Sequence, residues 1–163
     1  MHRAAGRSAW RWENVPVPEL HLAALGLAAL AHVVVPVSLP FGRQPSRAAG
    51  GVVLGSAVGL GAWAVHAASA ASVSVDQPSR LVVTGPYAII RNPMYVAWSI
   101  GMAGLGIALQ SAWLVLGAAV ATRAVHQEVL REEEALSKAF GNEYDRYRSA
   151  TSRYVPEWPV RAR

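Results

Sequence analysis

The chain has no cysteine among its 163 residues. This absence excludes disulfide bonds, thiolate metal sites and cysteine nucleophiles, and it leaves the redox compartment undetermined. At this length the chain is long enough for one domain and too short for two domains of ordinary size. We therefore expect a single domain whose stability does not depend on cross-links.

Charged residues are the second scarce feature. They make up 15% of the chain, against 53% hydrophobic residues, whereas soluble domains carry about 25% charged residues. Histidines aside, residues 20–42, 48–75 and 92–122 contain no side chain that is charged at neutral pH. A helix needs about 20 apolar residues to cross a bilayer core of about 30 Å. The distribution of charge therefore predicts an all-α fold, an integral membrane helical bundle.

The third uncharged run is too long for one upright span and too short for two. Its 31 residues would make roughly 46 Å of helix at about 1.5 Å per residue, whereas two full spans need about 40 residues. We predict a helical hairpin whose first arm begins at Pro93 and which turns at Gln110-Ser111. Its second arm begins at Ala112 and continues through a charged segment to Phe140.

Two earlier spans, at residues 20–39 and 48–72, bring the predicted bundle to about four transmembrane helices. If both ends of the chain face the cytoplasm, thirteen Lys and Arg residues lie inside and only Arg43 and Arg47 lie outside, as the positive-inside rule requires. A single lysine among many arginines and alanines indicates a bacterial source. We predict a multi-pass protein of the cytoplasmic membrane, with both termini cytoplasmic.

The basic residues flank apolar runs and suit lipid headgroups, so nucleic acid is not an expected partner.

Two patterns in the first two spans have packing as their simplest interpretation. Gly51, Gly55 and Gly59 lie on one face of the second span, which predicts close approach of another helix backbone. His21 and His32 share a face of the first span. Because no third ligand has suitable spacing, we predict buried, hydrogen-bonded histidines and no metal site.

Two polar motifs flank the hairpin and should meet at its cytoplasmic end. The first comprises Gly85-Pro86-Tyr87 and Arg91-Asn92-Pro93-Met94-Tyr95. The second comprises Glu132-Glu133-Glu134, Phe140-Gly141-Asn142-Glu143-Tyr144, Tyr147 and Arg153-Tyr154-Val155-Pro156. Because the arms of a hairpin are neighbours, we expect both motifs to lie close together.

Helical phase separates the three consecutive glutamates. Glu133 lies on the face that begins at His126 and ends at Phe140, whereas Glu134 is placed for an i,i+4 pair with Lys138 on a polar face. A carboxylate that faces the protein interior next to a membrane usually marks function. From spacing alone, Glu133 either serves a ligand or pairs with a nearby arginine to hold the hairpin together.

In this order and spacing the motifs resemble the isoprenylcysteine carboxyl methyltransferase and phospholipid methyltransferase superfamily of integral membrane methyltransferases. The resemblance covers about residues 80–157. It implies a transferase that uses S-adenosylmethionine, bound on the cytoplasmic side between the hairpin and the C-terminal segment. The acceptor would be lipid-soluble, an isoprenoid carboxylate or a lipid amine reached through the membrane lipids. On this interpretation residues 1–75 hold a lead and two spans, and residues 76–163 hold the catalytic hairpin, within one structural domain.

The resemblance also implies roles for single residues at the cofactor. Glu132 or Glu133 would accept hydrogen bonds from the ribose hydroxyls, and Arg91 would pair with the methionyl carboxylate. Aromatic faces would attract the sulfonium. The implied cofactor-binding residues are Tyr87, Arg91, Asn92, Pro93, Tyr95, Gly104, Gly106, Glu132, Glu133 and Tyr144. For Gly104 and Gly106, which match a Gly-x-Gly element of the phospholipid members, close helix packing is the alternative.

On the acceptor side the implied catalytic residues are Arg153 and Tyr147. Arg153 would orient an acceptor carboxylate. Tyr147 would belong to an aromatic cover that runs from Tyr144 to Tyr154 along one side of a C-terminal helix. The acceptor's apolar tail is expected to enter from the bilayer beside the first arm, where Gly101, Gly104 and Gly106 leave room.

The family pattern more often has His at the position of Asn92. An amide donates and accepts hydrogen bonds but does not transfer a proton, so this residue does not identify the acceptor. Two other functions stay open: an NADPH-dependent enzyme like the membrane sterol reductases, and a non-catalytic membrane subunit. Binding of S-adenosylhomocysteine or of NADPH separates the three.

Overall fold

The computed structural model describes residues 19–71 and 80–156. The helices are α1 (Glu19–Val34), α2 (Arg43–Ala70), a 3-10 helix (Gly85–Ala88), α3 (Pro93–Ala108), α4 (Ala112–Phe140) and α5 (Asn142–Ala150). In these ranges no β-strand forms, only two isolated bridges, so the all-α prediction is confirmed. The predicted lead and the boundary near residue 75 lie outside the described residues.

The predicted hairpin is confirmed in both arms and in its turn. α3 begins at Pro93, where a missing N–H is tolerated because the first turn has no intrahelical acceptor. Gln110 has a φ of 54°, a left-handed conformation that reverses the chain. Ser111 then caps α4, because its Oγ accepts a hydrogen bond from the Leu114 amide at 3.2 Å.

The first two helices differ from the predicted spans at one end each. α1 ends at Val34, before the predicted limit of residue 39, because Pro36 has no N–H with which to extend the helix. α2 begins at Arg43, before the predicted residue 48, because Pro45 falls in the first turn, where it is tolerated.

The apolar character of the helices is visible in length, hydropathy and exposure. α2 has 28 residues, and an 18-residue stretch within it has a mean hydropathy of 1.6; it is the one helix in the described ranges that is long and apolar enough to cross a membrane. α1 and α3 are apolar helices of 16 residues. Large apolar side chains face outward on three helices, among them Leu27, Leu30, Val33, Val52, Val58, Leu116 and Val120. An outward apolar surface of this extent fits a membrane protein.

At one end of the bundle the α1–α2 loop packs on the hairpin turn, where Leu39 N donates to the Gln110 carbonyl at 3.2 Å and Ala112 N to the Val37 carbonyl at 3.0 Å. The other end holds the start of α3, the end of α4 and the segment from α5 onward, and we call it the polar end. α2 packs along α3 and α1 along α4, whereas α1 and α2 do not pack closely on each other.

The close helix contact uses different glycines from those predicted. A Cβ added at Gly50 would lie 2.3 Å from the Ala108 backbone nitrogen, but one added at Gly51, Gly55 or Gly59 would meet nothing within 4 Å. The prediction of a close contact at these three glycines is therefore wrong. The face of α2 that contacts α3 contains Gly50, which lies one residue before the first of the three predicted glycines. The face with the predicted glycines points outward.

Candidate active site

The three consecutive glutamates of α4 have three different environments. Glu133 is buried, with 7% of its surface exposed. Glu132 accepts a hydrogen bond from the Tyr95 hydroxyl at 2.6 Å, and Glu134 pairs with Lys138 at 2.6 Å on the exposed face. The predicted helical phase is confirmed, because the three neighbouring carboxylates point to different surroundings.

Three side chains bind the carboxylate of Glu133. Two of them, Arg91 and Asn92, belong to the first motif, and Arg153 belongs to the C-terminal part of the second motif. Arg91 Nη2 lies 3.1 Å from its Oε1, and Arg153 Nη2 lies 2.8 Å from its Oε2. Asn92 Nδ2 donates to Oε1 at 3.1 Å. We call these four residues the Glu133 clamp. Burial alone would raise the pKa of Glu133, but the hydrogen bonds from Arg153 and Asn92 and the charge of Arg91 outweigh it and hold the pKa below its ordinary value.

Backbone contacts extend the clamp into the C-terminal segment. Arg91 Nη1 donates to the carbonyl of Arg148 at 3.0 Å and to that of Thr151. The Arg91 amide donates to the Ser152 carbonyl at 2.8 Å, and the Asn92 amide donates to the Arg153 carbonyl at 3.2 Å. The two motifs therefore meet at the polar end, as predicted, through a short parallel bridge between residues 90 and 152.

The contacts within the clamp bear on the roles predicted for Arg91, Arg153 and Glu133. All three guanidinium nitrogens of Arg91 are engaged within the protein, and Arg153 donates two hydrogen bonds to Glu133. A buried carboxylate with two cationic partners is balanced internally. The structure thus favours the alternative in which Glu133 holds the hairpin together. In this structure Arg91 binds the carboxylate of Glu133, and its contact with the methionyl carboxylate of the cofactor stays a prediction.

Beside the clamp lies an acidic–aromatic face formed by Glu128, Glu132, Tyr87, Tyr95 and Tyr154. Glu128 and Glu132 make no ion pair with Lys or Arg in the described ranges. Partial burial, opposed by the Tyr95 hydrogen bond and reinforced by Glu128, raises the pKa of Glu132. Burial, followed by the charge of Glu132, raises the pKa of Tyr87 to about 12. This face combines negative charge with ring faces, a pattern that attracts organic cations.

The acidic–aromatic face includes two contributions that sequence reasoning missed. Glu128 precedes Glu132 by one helical turn, so its i,i+4 spacing was the available signal. The Tyr154 hydroxyl lies 2.8 Å from His126 Nδ1. That contact joins α4 to the C-terminal segment across 28 residues, a separation for which helical periodicity gives no signal.

α5 carries two of the predicted aromatic residues. The Tyr144 ring is buried and meets the Tyr147 ring edge-on at 6.1 Å. The Tyr147 hydroxyl donates to the Tyr87 carbonyl at 2.7 Å. α5 ends at Ala150 and Thr151 is extended, so the predicted helical cover from Tyr144 to Tyr154 is wrong beyond Ala150. Pairing of residues 151–153 with residues 90–92 replaces the last helical turns.

The two glycines of the Gly-x-Gly element lie at helix–helix contacts. A Cβ at Gly104 would lie 2.9 Å from the Leu54 amide nitrogen, and one at Gly106 would lie 2.8 Å from that of Val115. These distances support the packing alternative for both glycines and leave no room there for an acceptor tail. Pro93, the remaining predicted residue, is buried as the first residue of α3.

An apolar cavity of about 390 Å³ lies between α1, α2 and α3. Gly101, one of the three glycines predicted to leave room beside the first arm, lines it, together with His21 from α1. His21 Nε2 lies 3.1 Å from Ser99 Oγ. In the described ranges no group of three or more His, Asp or Glu is arranged to hold a metal ion.

Comparison with known proteins adds a family and two relatives. The profile of the phospholipid methyltransferase family matches residues 45–143. The nickel-cobalt-cadmium resistance protein NccN of Alcaligenes xylosoxydans xylosoxydans is 33% identical over 84 residues, which are 52% of this chain and 39% of that protein. The cobalt-zinc-cadmium resistance protein CzcN of Cupriavidus metallidurans is 29% identical over 84 residues, with the same two coverages. The chain thus spans about two fifths of the length of these relatives. No solved structure matches the chain.

Proposed function

The chain belongs to the phospholipid methyltransferase family, and we propose that it transfers a methyl group from S-adenosylmethionine to a lipid-soluble acceptor in the membrane. The observation that carries this proposal is the acidic–aromatic face at the polar end of the α3–α4 hairpin. Four of its five residues, all but Tyr154, lie within the stretch that the family profile matches.

The residues of this face suit S-adenosylmethionine, which supplies a methyl group on a cationic sulfur. Glu132 has one oxygen engaged by Tyr95, and its other oxygen takes no hydrogen bond in the described ranges. That oxygen can accept from a ribose hydroxyl as a charge-assisted bond. The rings of Tyr87 and Tyr95 provide faces for the sulfonium. Positioning and exclusion of water are then the main tasks of the protein.

The clamp supports this site from outside. It fixes the start of α3, the second half of α4 and the C-terminal segment in one arrangement through Glu133. Four residues of the acidic–aromatic face lie on these three segments, and Tyr87 lies on the preceding 3-10 helix. The rings and carboxylates of the face are therefore held in position before a ligand binds. Prearranged groups of this kind reduce the entropy lost when a ligand is bound.

We further propose that α1, α3 and the first part of α4 cross the membrane together with α2. At about 1.5 Å per residue, α1 and α3 are roughly 24 Å long, a little short of a bilayer core of about 30 Å, a mismatch that local thinning accommodates. Outward apolar side chains on α1, α2 and α4 support this arrangement. The count of basic residues supports a cytoplasmic location for the polar end.

The metal resistance in the names of NccN and CzcN describes those proteins. The shared stretch is about two fifths of each, and no observation of this chain favours that role. Two other functions stayed open from the sequence, an NADPH-dependent reductase and a non-catalytic subunit. Binding of S-adenosylhomocysteine, of NADPH or of neither ligand distinguishes the three functions.

The test is ligand binding followed by labelling. Purified protein in detergent is titrated with S-adenosylhomocysteine and with NADPH by calorimetry, and lipid extract is then incubated with methyl-labelled S-adenosylmethionine and analysed by mass spectrometry. We expect binding of S-adenosylhomocysteine alone and label in one lipid class. Glu132→Gln should lose the label, and Glu134→Gln, the matched control, should keep it. A folded protein that binds neither ligand would refute the proposal.

A further inference from the structure

Two of the four glutamates of α4 have no cationic partner. Glu133 and Glu134 are each paired with Arg or Lys, whereas Glu128 and Glu132 make no ion pair with Lys or Arg in the described ranges. Like charges one helical turn apart repel each other and destabilise a helix. A pair of carboxylates without a counter-ion within the protein therefore suits a cationic ligand.

Glu128 lies one helical turn before Glu132, on the same side of α4, and Cβ atoms at this spacing are about 5–6 Å apart. Burial, opposed by the Tyr95 hydrogen bond and reinforced by the charge of Glu128, raises the pKa of Glu132, so the two carboxylates interact. Glu128 is half-buried, and Arg131, three residues after it, is exposed and makes no ion pair with it. The charge of Glu128 therefore acts on the acidic–aromatic face without a counter-ion.

Glu132 has a contact that Glu128 lacks. One oxygen of Glu132 accepts a hydrogen bond from the Tyr95 hydroxyl at 2.6 Å, and its other oxygen is the proposed acceptor for a ribose hydroxyl. No side chain in the part of the chain that the structure describes donates a hydrogen bond to Glu128. Glu128 thus acts on a ligand of this face through its charge.

The ligand of the proposed function loses a charge when it reacts. A lone pair of the acceptor forms the bond to the methyl carbon, and the carbon–sulfur bond breaks with its electron pair left on sulfur. The sulfonium becomes a neutral thioether, and the formal charge of the acceptor atom rises by one. Donor and product share the same base, ribose and amino-acid groups, so a protein distinguishes them by the methyl group and by the charge on sulfur.

We propose that Glu128 is a specificity-determining residue that favours the cationic methyl donor over its neutral product. The proposal rests on the proposed methyltransferase function and concerns the same site. Glu128 and Glu132 make the face negative, and the arginines of the clamp, Arg91 and Arg153, bind Glu133. The attraction acts while the sulfur is cationic and is lost with the methyl group, which favours the exchange of product for new donor.

The size of the effect follows from the screening of the charge. At contact distance a unit charge screened as fully as in water changes the affinity for a cation by about fivefold, and weaker screening at a protein surface increases that factor. Glu128 is half-buried, so we expect a factor of about five to ten. S-adenosylhomocysteine has no charge on sulfur, so its affinity should depend little on Glu128.

Affinity for two ligands of different charge tests the proposal without turnover. Calorimetry in detergent compares S-adenosylhomocysteine with sinefungin, a non-reactive analogue that carries a protonated amine in place of the methylated sulfur. We expect Glu128→Gln to weaken sinefungin binding about five- to tenfold and S-adenosylhomocysteine binding by no more than about twofold. Glu128→Asp keeps the charge and should retain most of the preference for sinefungin.

Two neighbouring variants are the controls. Glu134→Gln removes an exposed carboxylate that pairs with Lys138, so neither affinity should change. Glu132→Gln loses a hydrogen-bond acceptor together with a charge, so it should weaken both ligands. The preference for the cationic ligand should therefore depend on Glu128 in a way that neither neighbour reproduces.

Kinetics provide a second readout. In Glu128→Gln the KM for S-adenosylmethionine should rise about five- to tenfold, whereas the inhibition constant of S-adenosylhomocysteine should stay within about twofold of the parent value. A purely structural role of Glu128 would weaken both ligands together and lower the unfolding temperature.

The outcomes separate this proposal from the proposed function. Equal losses for both ligands in Glu128→Gln, or no loss for either, would overturn the role of Glu128 and leave the methyltransferase function standing. A folded parent protein that binds neither ligand would instead overturn the methyltransferase function.

Discussion

Replacing Glu133 by glutamine should destabilise the fold more than it weakens cofactor binding. Glutamine keeps one acceptor oxygen, but it removes the negative charge and directs an NH₂ group toward three donor side chains. Arg91, with a side chain only 8% exposed, then remains as a buried cation without its partner.

The size of the effect follows from the burial of the partners. Removing one member of a buried ion pair costs about 3–5 kcal/mol. Arg153 is 33% exposed, so solvent screens its part of the interaction, and we take the lower limit of about 3 kcal/mol. In a protein of this size about 1 kcal/mol shifts the unfolding temperature by roughly 2–4 °C. The expected decrease for Glu133→Gln is therefore about 6–12 °C.

The assay measures thermal unfolding in detergent and S-adenosylhomocysteine affinity for two neighbouring variants. Glu134→Gln removes an exposed carboxylate bound only to Lys138, so neither measurement should change. Glu133→Gln should lower the unfolding temperature, with a modest loss of affinity at temperatures where the protein stays folded. If Glu133→Gln unfolds like the parent protein and loses more than about tenfold in affinity, the clamp is not structural. Glu133 would then be a ligand acceptor, the other alternative from the sequence.

Further outcomes concern the acidic–aromatic face, pH, topology and α5. Glu132→Gln should weaken S-adenosylhomocysteine binding by roughly 10- to 150-fold in calorimetry with little change in unfolding temperature; the reverse pattern would contradict its role. Because the pKa of Glu133 is lowered from its ordinary 4.5, its stabilising effect is present above that pH and is lost as pH falls through the lowered value. Melting curves below pH 4.5 should therefore show the parent protein converging on Glu133→Gln. Reporter fusions after Arg163 and in the α1–α2 loop at residues 35–42 should lie in opposite compartments; the same compartment for both would refute four spans. Tyr147→Phe, which loses the bond to the Tyr87 carbonyl, should slow methylation more than it weakens S-adenosylhomocysteine binding, and equal losses would make Tyr147 an ordinary cofactor contact.

The features that were predictable from the sequence depend on local information. The start of α3 at Pro93 follows from the lack of an N–H on proline, and the turn near Gln110 follows from the length of an uncharged run. The different environments of Glu133 and Glu134 follow from a helical period of 3.6 residues. In each case the relevant residues lie within a few helical turns of one another.

The features that were not predictable depend on contacts between distant segments. The stripe of Gly51, Gly55 and Gly59 has the right spacing for packing, but the phase at which α2 meets α3 is decided by Gly50 and Ala108, 58 residues apart in the chain. α5 ends at Ala150 because the next residues bind the backbone at Arg91 and Asn92. A helical period carries no information about which distant partner a segment will find.

The same limit explains why the spacing left Glu133 open between a ligand contact and a partner of a nearby arginine. A buried carboxylate near a membrane is unfavourable alone, so a sequence pattern that buries one implies a cation without identifying it. The partners here are Arg91 and Arg153, 42 residues before and 20 residues after it. Because these two arginines neutralise Glu133, the negative charge left without an ion pair on this part of α4 is that of Glu128 and Glu132. A cationic methyl donor would therefore be drawn to that side of α4, where Tyr95 lies beside Glu132.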